Sequence, residues 1–226
     1  MSARGRLESL SDGAFAVAIG LLVVTIDAQK EFGQVVDVMR TAPAIAGAFA
    51  VILWIWAEHR RFFSRYELDD VPTVFLNGVL LFVVLLYVYP LKFVAMYVLG
   101  TLFGLFPADL RVALGSPRDG SVLLRIYGAG FIAIFALFFL LYRHAWRRRD
   151  ALGLSPLARF DTRTSLRSSA ICMGVGAFSV LFTLVETGWA AGVAGFSYVL
   201  LGPLMGFHGY RSGVERERLE AESAPT

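Results

Sequence analysis

The sequence predicts an all-α integral membrane protein with six transmembrane helices. The 226-residue chain is 57% hydrophobic and only 17% charged, whereas a typical soluble domain is about 45–50% apolar and about 25% charged. Its apolar residues form six separate runs that approach the roughly 20 residues needed to cross a bilayer. The runs are too long and too unbroken for barrel strands, in which apolar residues recur at about every second position.

Short polar connections separate the six predicted spans. The spans are 10–28, 41–58, 71–98, 122–142, 168–185 and 189–207. We expect Pro90 and Lys92 to end or kink the third helix, because proline lacks the N–H that an interior helical residue donates. Residues 99–106 would then form a short interfacial segment.

Basic residues are concentrated on one side of the predicted spans. Of the 21 lysine and arginine residues, 15 fall in segments on the side of the N-terminus: Arg4, Arg6, Arg60, Arg61, Arg65, Arg143, Arg147, Arg148, Arg149, Arg159, Arg163, Arg167, Arg211, Arg216 and Arg218. By the positive-inside rule both termini are predicted to be cytoplasmic. The cluster at 143–149 is interpreted as a topology determinant, with contact to anionic lipid as the alternative.

The chain is predicted to form one membrane domain with a tail. Residues 1–211 form the predicted six-helix domain, and 212–226 form a short, charged, cytoplasmic tail. The first apolar run continues to Ile26 without a small-x-small cleavage site, so we interpret it as a retained helix. A lone Cys172 excludes a disulfide within one chain, and the three histidines show no metal-ligand spacing. We therefore expect no cofactor.

Several motifs of other function classes are missing from the sequence. There is no phosphate loop, no Thr-Val-Gly-Tyr-Gly filter and no H-E-x-x-H or G-x-S-x-G motif, so an enzyme is disfavoured. Gly128 and Gly130 are interpreted as helix-packing positions. Proton-coupled transporters usually bury carboxylates or histidines, and in this sequence only Asp12 and Glu186 are candidates for such a group. A small secondary transporter and a non-conducting scaffold remain the alternatives to a channel.

A Ser-Asp pair, Ser11 and Asp12, opens the first apolar helix. A carboxylate in hydrocarbon costs about 2.5 kcal/mol or more at mid-bilayer depth, so such a residue usually has a partner and a function. The alternative is that Asp12 caps the N-terminus of the helix, where serine and aspartate accept hydrogen bonds from free backbone N–H groups.

The same region carries the residues of a family signature. Arg6 is followed by Leu10-Ser11-Asp12 and then by Gly-Ala-Phe-Ala-Val-Ala-Ile-Gly-Leu-Leu-Val-Val. This resembles the R-x-x-x-F-S-D signature and following apolar run of the transmembrane protein 175 family, the lysosomal potassium channels and their prokaryotic homologues. Residues 56–62, Trp-Ala-Glu-His-Arg-Arg-Phe, are similar to its W-x-x-H-H-x-x-F block. Asn77 and the Tyr89-Pro90 pair resemble its third helix.

The resemblance implies a homotetrameric, potassium-preferring cation channel of a bacterial inner membrane. In such a channel the first helix of each subunit lines a central pore, and Val17, Leu21 and Val24 would form its constriction. Their spacing puts all three on one helix face, although packing against other helices or lipid is the alternative. Thr25 would add hydroxyl groups at the pore mouth. Asp27 would form an acidic ring there or be an ordinary solvated residue, and potassium would be the permeant ion.

The matched polar residues predict a network that holds the first helix at its cytoplasmic end. Arg6 and Asp12 are six residues apart and lie on different helix faces, so each needs a partner elsewhere. The set is Arg6, Ser11, Asp12, Trp56, His59 and Asn77. We expect His59 either to titrate near neutral pH or simply to make a hydrogen bond.

Overall fold

A computed structural model describes residues 3–24, 32–103, 117–185 and 188–223, and these are almost entirely helical. The elements in chain order are α1 (Ala3–Val24), α2 (Phe32–Arg65), α3 (Val71–Phe103), α4 (Pro117–Arg147), α5 (Pro156–Phe182), α6 (Gly188–Phe196), a 3-10 turn (Ser197–Leu200) and α7 (Leu201–Ser223). The all-α class is confirmed. The charged residues after 211 continue α7 as far as Ser223.

Five described segments are long and apolar enough to cross a membrane. They are Thr41–Arg65, Val71–Val98, Arg118–Arg147, Pro156–Phe182 and Ala191–Ala221. Each contains or overlaps one of the six predicted spans. Helix α1, described as far as Val24, is not among the five. The last segment runs without a break through α6, the 3-10 turn and α7.

The expected end of the third helix at Pro90 or Lys92 is wrong, whereas the alternative of a kink there stays a prediction. Helix α3 continues through Pro90 to Phe103, so residues 99–103 extend it rather than form a separate segment, and 104–106 lie outside the described residues. The proline removes one backbone hydrogen bond at a cost of about 3 kcal/mol. Leu91 and Val94, on the far side of the proline, are buried, and this packing offsets the loss.

The fifth predicted span begins too late, because α5 starts at Pro156 rather than at 168. The Ser155 hydroxyl accepts a hydrogen bond from the backbone N–H of Ala158 at 3.2 Å, and Pro156 occupies the first turn, where its missing N–H does no harm. The first turns of α5 contain arginines, so hydropathy alone does not detect them.

Helices α3 and α4 occupy the middle of the bundle. Helices α1 and α2 pack on α3, α5 packs on α4, and α6 and α7 pack on α5. Glycines permit the closest approaches. A Cβ atom at Gly130 would lie 2.6 Å from the Tyr87 ring, and one at Gly128 would lie 2.5 Å from a methyl group of Val180. The interpretation of Gly128 and Gly130 as packing positions is confirmed.

The connection between α2 and α3 is joined to the end of α4 through Asp70. This residue caps α3, since its carboxylate accepts from the Thr73 N–H at 3.1 Å. The same carboxylate accepts from His144 Nε2 at 2.7 Å and from Arg148 at 2.8 Å. Nearby, the Tyr66 and Thr162 hydroxyls are 2.6 Å apart. These contacts place the α2–α3 and α4–α5 connections, with most of the arginines, at one end of the bundle.

We expect Asp70→Ala to lower stability by about 0.5–2 kcal/mol near neutral pH, as loss of an N-cap does. Burial alone would raise the pKa of the Asp70 carboxyl, but hydrogen bonds from Thr73 and His144 outweigh it and hold the pKa below its ordinary value. The stabilisation is therefore complete above the unfolded pKa of about 4 and is lost as the pH falls through the lower folded value.

Thermal unfolding of the detergent-solubilised protein over a pH series measures this effect. The matched control is Asp69→Ala, which removes the exposed neighbouring carboxylate. A deficit of the Asp70 variant that persisted unchanged at pH values below the folded pKa would contradict the linkage.

Candidate pore helix and its polar anchor

Helix α1 has one face buried within its own subunit. Ser11, Phe15, Ala18 and Leu22 are all 0–2% exposed, and their spacing of four, three and four residues follows one side of a helix. This face packs on α2 and α3. The burial fixes the rotation of α1 about its axis and therefore decides which residues point away from the subunit.

Two of the three predicted constriction residues, Val17 and Leu21, lie outside this buried face of α1. Val17 is 55% exposed and Leu21 is 39% exposed, and the two lie one turn apart. Val24 is the last residue of the described helix, and Thr25 and Asp27 lie outside the described residues. Val17 and Leu21 are thus available to line a space outside the subunit, whereas the Phe15 face is not.

A hydrogen-bonded chain of side chains anchors the N-terminal half of α1 to α2 and α3. Asn77 Nδ2 donates to Ser11 Oγ at 3.1 Å, and His59 Nε2 lies 2.8 Å from Asn77 Oδ1. Ser11 Oγ also donates to the backbone carbonyl of Leu7 at 2.8 Å. Ser11, His59 and Asn77 are 0–3% exposed, so these bonds form away from water, where an unpaired polar group is costly.

The directions of these bonds determine where the histidine proton lies. Asn77 Oδ1 is a carbonyl oxygen and can only accept, so His59 Nε2 must carry the hydrogen, given that Asn77 Nδ2 donates to Ser11. Aromatic rings enclose the imidazole: Phe15 lies 5.4 Å away and Phe63 lies 4.6 Å away, between ring centroids. The structure therefore gives His59 the hydrogen bond that was one of the two expectations for it.

Asp12 is not a helix cap, and that alternative is wrong. Helix α1 begins at Ala3, so Asp12 lies in its interior, where the backbone N–H groups are already bonded. Instead, Trp56 Nε1 donates to Asp12 Oδ1 at 3.0 Å. The Arg60 guanidinium lies over the Trp56 ring at 5.5 Å. Asp12 thus has the partner on α2 that the cost of a carboxylate near hydrocarbon requires.

The other five predicted residues form two hydrogen-bonded groups, Ser11–Asn77–His59 and Asp12–Trp56. Arg6 is exposed on α1 and, within the described part of the chain, belongs to neither group. A cavity of about 250 Å³ lies beside the network. Its walls are formed by Glu8, Asp12, Trp56, His59, Arg60, Phe63 and Ser64.

Within the described residues, no cluster of three or more histidine, cysteine, aspartate or glutamate side chains is arranged to hold a metal ion.

Sequence reasoning missed two parts of the anchor, the Leu7 carbonyl and the Phe15 ring. Neither leaves a motif, because a backbone acceptor has no residue type and phenylalanine is unremarkable in an apolar run. The available signal is the spacing of Ser11 and Phe15. Four residues separate them, so a buried Ser11 implies that Phe15 lies on the same face.

Comparison with known proteins agrees with this architecture. Residues 6–87 match the family described as endosomal/lysosomal potassium channel TMEM175. A protein of Marivirga tractuosa named as a potassium channel is 36% identical over 222 residues, which cover 95% of this chain and 90% of the relative.

Two solved structures are similar along nearly the whole chain. The crystal structure of a threonine-to-alanine variant of the potassium channel MtTMEM175, in complex with a nanobody–MBP fusion protein, has a TM-score of 0.78 at 35% identity and covers 92% of this chain and 93% of that one. The lysosomal potassium-selective channel TMEM175 homologue from Chamaesiphon minutus has a TM-score of 0.62 at 25% identity, covering 94% and 99%. These relatives are channels, not enzymes. The chain is a multi-pass membrane protein that belongs to the TMEM175 family of potassium channels.

Proposed function

We propose that four copies of this chain form a potassium-preferring cation channel through which ions move passively, with α1 of each subunit around the pore. The observation that carries the proposal is the rotation of α1. Its anchored face is buried against α2 and α3, while Val17 and Leu21 project outward. Rings of Val17, Leu21 and Val24 would form the constriction, and Thr25 and Asp27 the mouth.

Such a constriction selects among cations by how easily each loses its bound water, because its side chains do not coordinate the ion. Valine and leucine offer no oxygen to replace the water around a cation, so a narrow apolar ring resists wetting and works as a gate. Potassium loses its water more cheaply than sodium, which gives a modest preference for potassium. An acidic ring at the mouth would raise the local concentration of cations. No bound cofactor takes part, and the permeant ion is potassium.

We also propose how the chain crosses the membrane and in which membrane it lies. Six helices would span a bacterial inner membrane with both termini in the cytoplasm. The support is the clustering of arginines at one end of the bundle, around Asp70, His144 and Arg148, together with the positive-inside rule. The Ser11–Asn77 bond joins α1 to the first two turns of α3, which begins next to Asp70. Lipid and the other subunits are the partners.

We expect Val17→Ser or Leu21→Ser to raise cation flux and to reduce the preference for potassium over sodium. A hydroxyl group in an apolar ring favours wetting, and lowering the barrier by about 1.4 kcal/mol raises the rate about tenfold. Flux from proteoliposomes is measured with potassium and with sodium as the permeant ion.

Val23→Ser is the matched control. Val23 is 46% exposed, close to the exposure of Val17, but it lies six residues further along and about 120° around the helix. If the Val23 variant changed flux as much as the Val17 variant, the assigned pore face would be wrong. A monomeric protein without flux would favour the transporter or the scaffold, and a silent tetramer would contradict conduction.

A further inference from the structure

A cavity of about 500 Å³ lies between α2, α5 and α7, apart from α1 and the proposed pore face. It is at the arginine-rich end of the bundle, near the ends of three of the five candidate membrane spans. Its charged lining consists of Glu58, Arg61, Arg65, Asp161 and Arg216. Three guanidinium groups and two carboxylates line the cavity, and a third carboxylate, Glu220, lies outside the lining and pairs with Arg216.

One carboxylate serves two of the arginines. Arg65 of α2 lies 3.2 Å from one oxygen of Asp161, and Arg216 of α7 lies 3.4 Å from the other. Asp161 itself belongs to α5, so this triad links all three helices across the cavity. Arg216 also pairs with Glu220 at 3.2 Å, and Arg61 pairs with Glu58. A guanidinium has five N–H groups, so Arg65 and Arg216 keep donors for a further anion.

The rest of the lining combines hydroxyl groups with apolar surface. Thr164, Ser165, Ser168 and Ser212 supply the hydroxyls, and Phe160 and Met205 supply the apolar walls. His208 Nε2 lies 3.2 Å from the Thr164 carbonyl, which fixes the side chain at the edge of the cavity. A phosphate group attached to hydrocarbon chains binds where basic and hydroxyl donors can bond the phosphate and adjacent apolar walls can contact the chains.

We propose that this cavity binds the phosphate group of a membrane phospholipid, with Arg65 and Arg216 as the principal donors. Arginine binds phosphate through two parallel N–H···O bonds. A basic pocket between helices at the membrane surface is a setting in which headgroups bind. A bound headgroup would accept hydrogen bonds from both arginines and thereby join α2, α5 and α7. Because α2 also carries Trp56 and His59, the lipid would stabilise the support of α1.

The test measures lipid retention and thermal stability of the full-length, detergent-solubilised protein. The probes are dioleoyl phosphatidylglycerol, dioleoylglycerol without a phosphate, and inorganic phosphate. We expect native mass spectrometry to show phosphatidylglycerol bound and the unfolding temperature to rise with that lipid alone. An equal rise with dioleoylglycerol would mean nonspecific solvation, and an equal rise with inorganic phosphate would mean a free anion site; either overturns the proposal.

Two glycines of α7 supply a variant and its control that leave all charges in place. Gly209 lines the cavity and Gly206 does not. A Cβ atom at either position meets no other atom within 4 Å, so neither leucine substitution creates a clash at that atom. Gly209→Leu places an apolar side chain in the cavity and is expected to abolish the lipid-dependent rise in unfolding temperature, whereas Gly206→Leu should keep that rise.

The double variant Arg65→Gln, Arg216→Gln should also abolish the lipid-dependent rise in unfolding temperature. Arg218 is an exposed arginine on the same helix as Arg216, and Arg218→Gln should keep the rise. Equal lipid binding by the Gly209 and Gly206 variants would overturn the assignment of the site. A cavity filled by a second copy of the chain would show no bound lipid and a changed subunit number in the Gly209 variant, which also overturns it.

Discussion

Asn77→Ala is expected to destabilise the protein by about 1–3 kcal/mol through the stranded His59 N–H alone, and by more when the space that is left is included. Asn77 is fully buried and joins α3 to both α1 and α2 through two hydrogen bonds. Its loss would break the anchor at α1 and at α2 at once. Thermal unfolding in detergent measures the loss.

Two serines on α1 supply a matched control for the anchor. Both bond back to the carbonyl four residues earlier, Ser9 to Gly5 and Ser11 to Leu7, each at 2.8 Å. Only Ser11 is buried and accepts from Asn77. Ser11→Ala should therefore lower the unfolding temperature, while Ser9→Ala should leave it nearly unchanged. Equal effects of the two would show that the bond to Asn77 contributes nothing measurable.

The anchor also bears on conduction, because it fixes the rotation of α1. If Asn77→Ala lets α1 rotate or shift, Val17 and Leu21 would no longer both point toward the proposed pore, and we expect flux and subunit association to fall with stability. Asp12→Ala removes the Trp56 contact and tests the same idea at the exposed end of the network. Unchanged assembly, stability and flux in the Asp12 variant would refute a positioning role for that residue.

Much of the anchor was predictable because its members carry chemistry that an apolar helix does not need. Ser11, Asp12, Trp56, His59 and Asn77 stand out from their surroundings, and the structure brings all five together. Which of them bond was not predictable, since that depends on the crossing of three helices. Arg6 belongs to the same motif, but its side chain is exposed and therefore needs no buried partner.

The face of α1 was harder to predict from sequence. Nearly every position from Ala14 to Val24 is apolar, so every face is equally apolar and periodicity selects none. Burial of Phe15, Ala18 and Leu22 decides the rotation, and it arises from contacts with α2 and α3 that lie far away in the chain. The helix end expected at Pro90 was wrong for a related reason. Local propensity predicts an end there, but packing of the residues beyond the proline keeps α3 continuous.

Gly130→Ala is expected to lower stability by about 1–3 kcal/mol, the usual effect of overpacking. The new methyl group would lie 2.6 and 3.0 Å from two carbons of the Tyr87 ring. Tyr87 is only 2% exposed and cannot turn away freely. Its ring stacks on Tyr127 at 5.3 Å, which in turn meets Tyr198 edge-on at 4.9 Å, so relief of the clash disturbs a row of three aromatic rings.

A control glycine separates this clash from the general effect of glycine in a helix. A Cβ atom at Gly174 of α5 meets no atom within 4 Å, so Gly174→Ala gains only helix propensity and should stabilise by about 0.5–1 kcal/mol. Each kcal/mol corresponds to about 2–4 °C in the unfolding midpoint for a chain of this size. The two variants should therefore move the midpoint in opposite directions. If Gly130→Ala were as stable as Gly174→Ala, the close approach of α3 and α4 at Tyr87 would not exist in the folded protein.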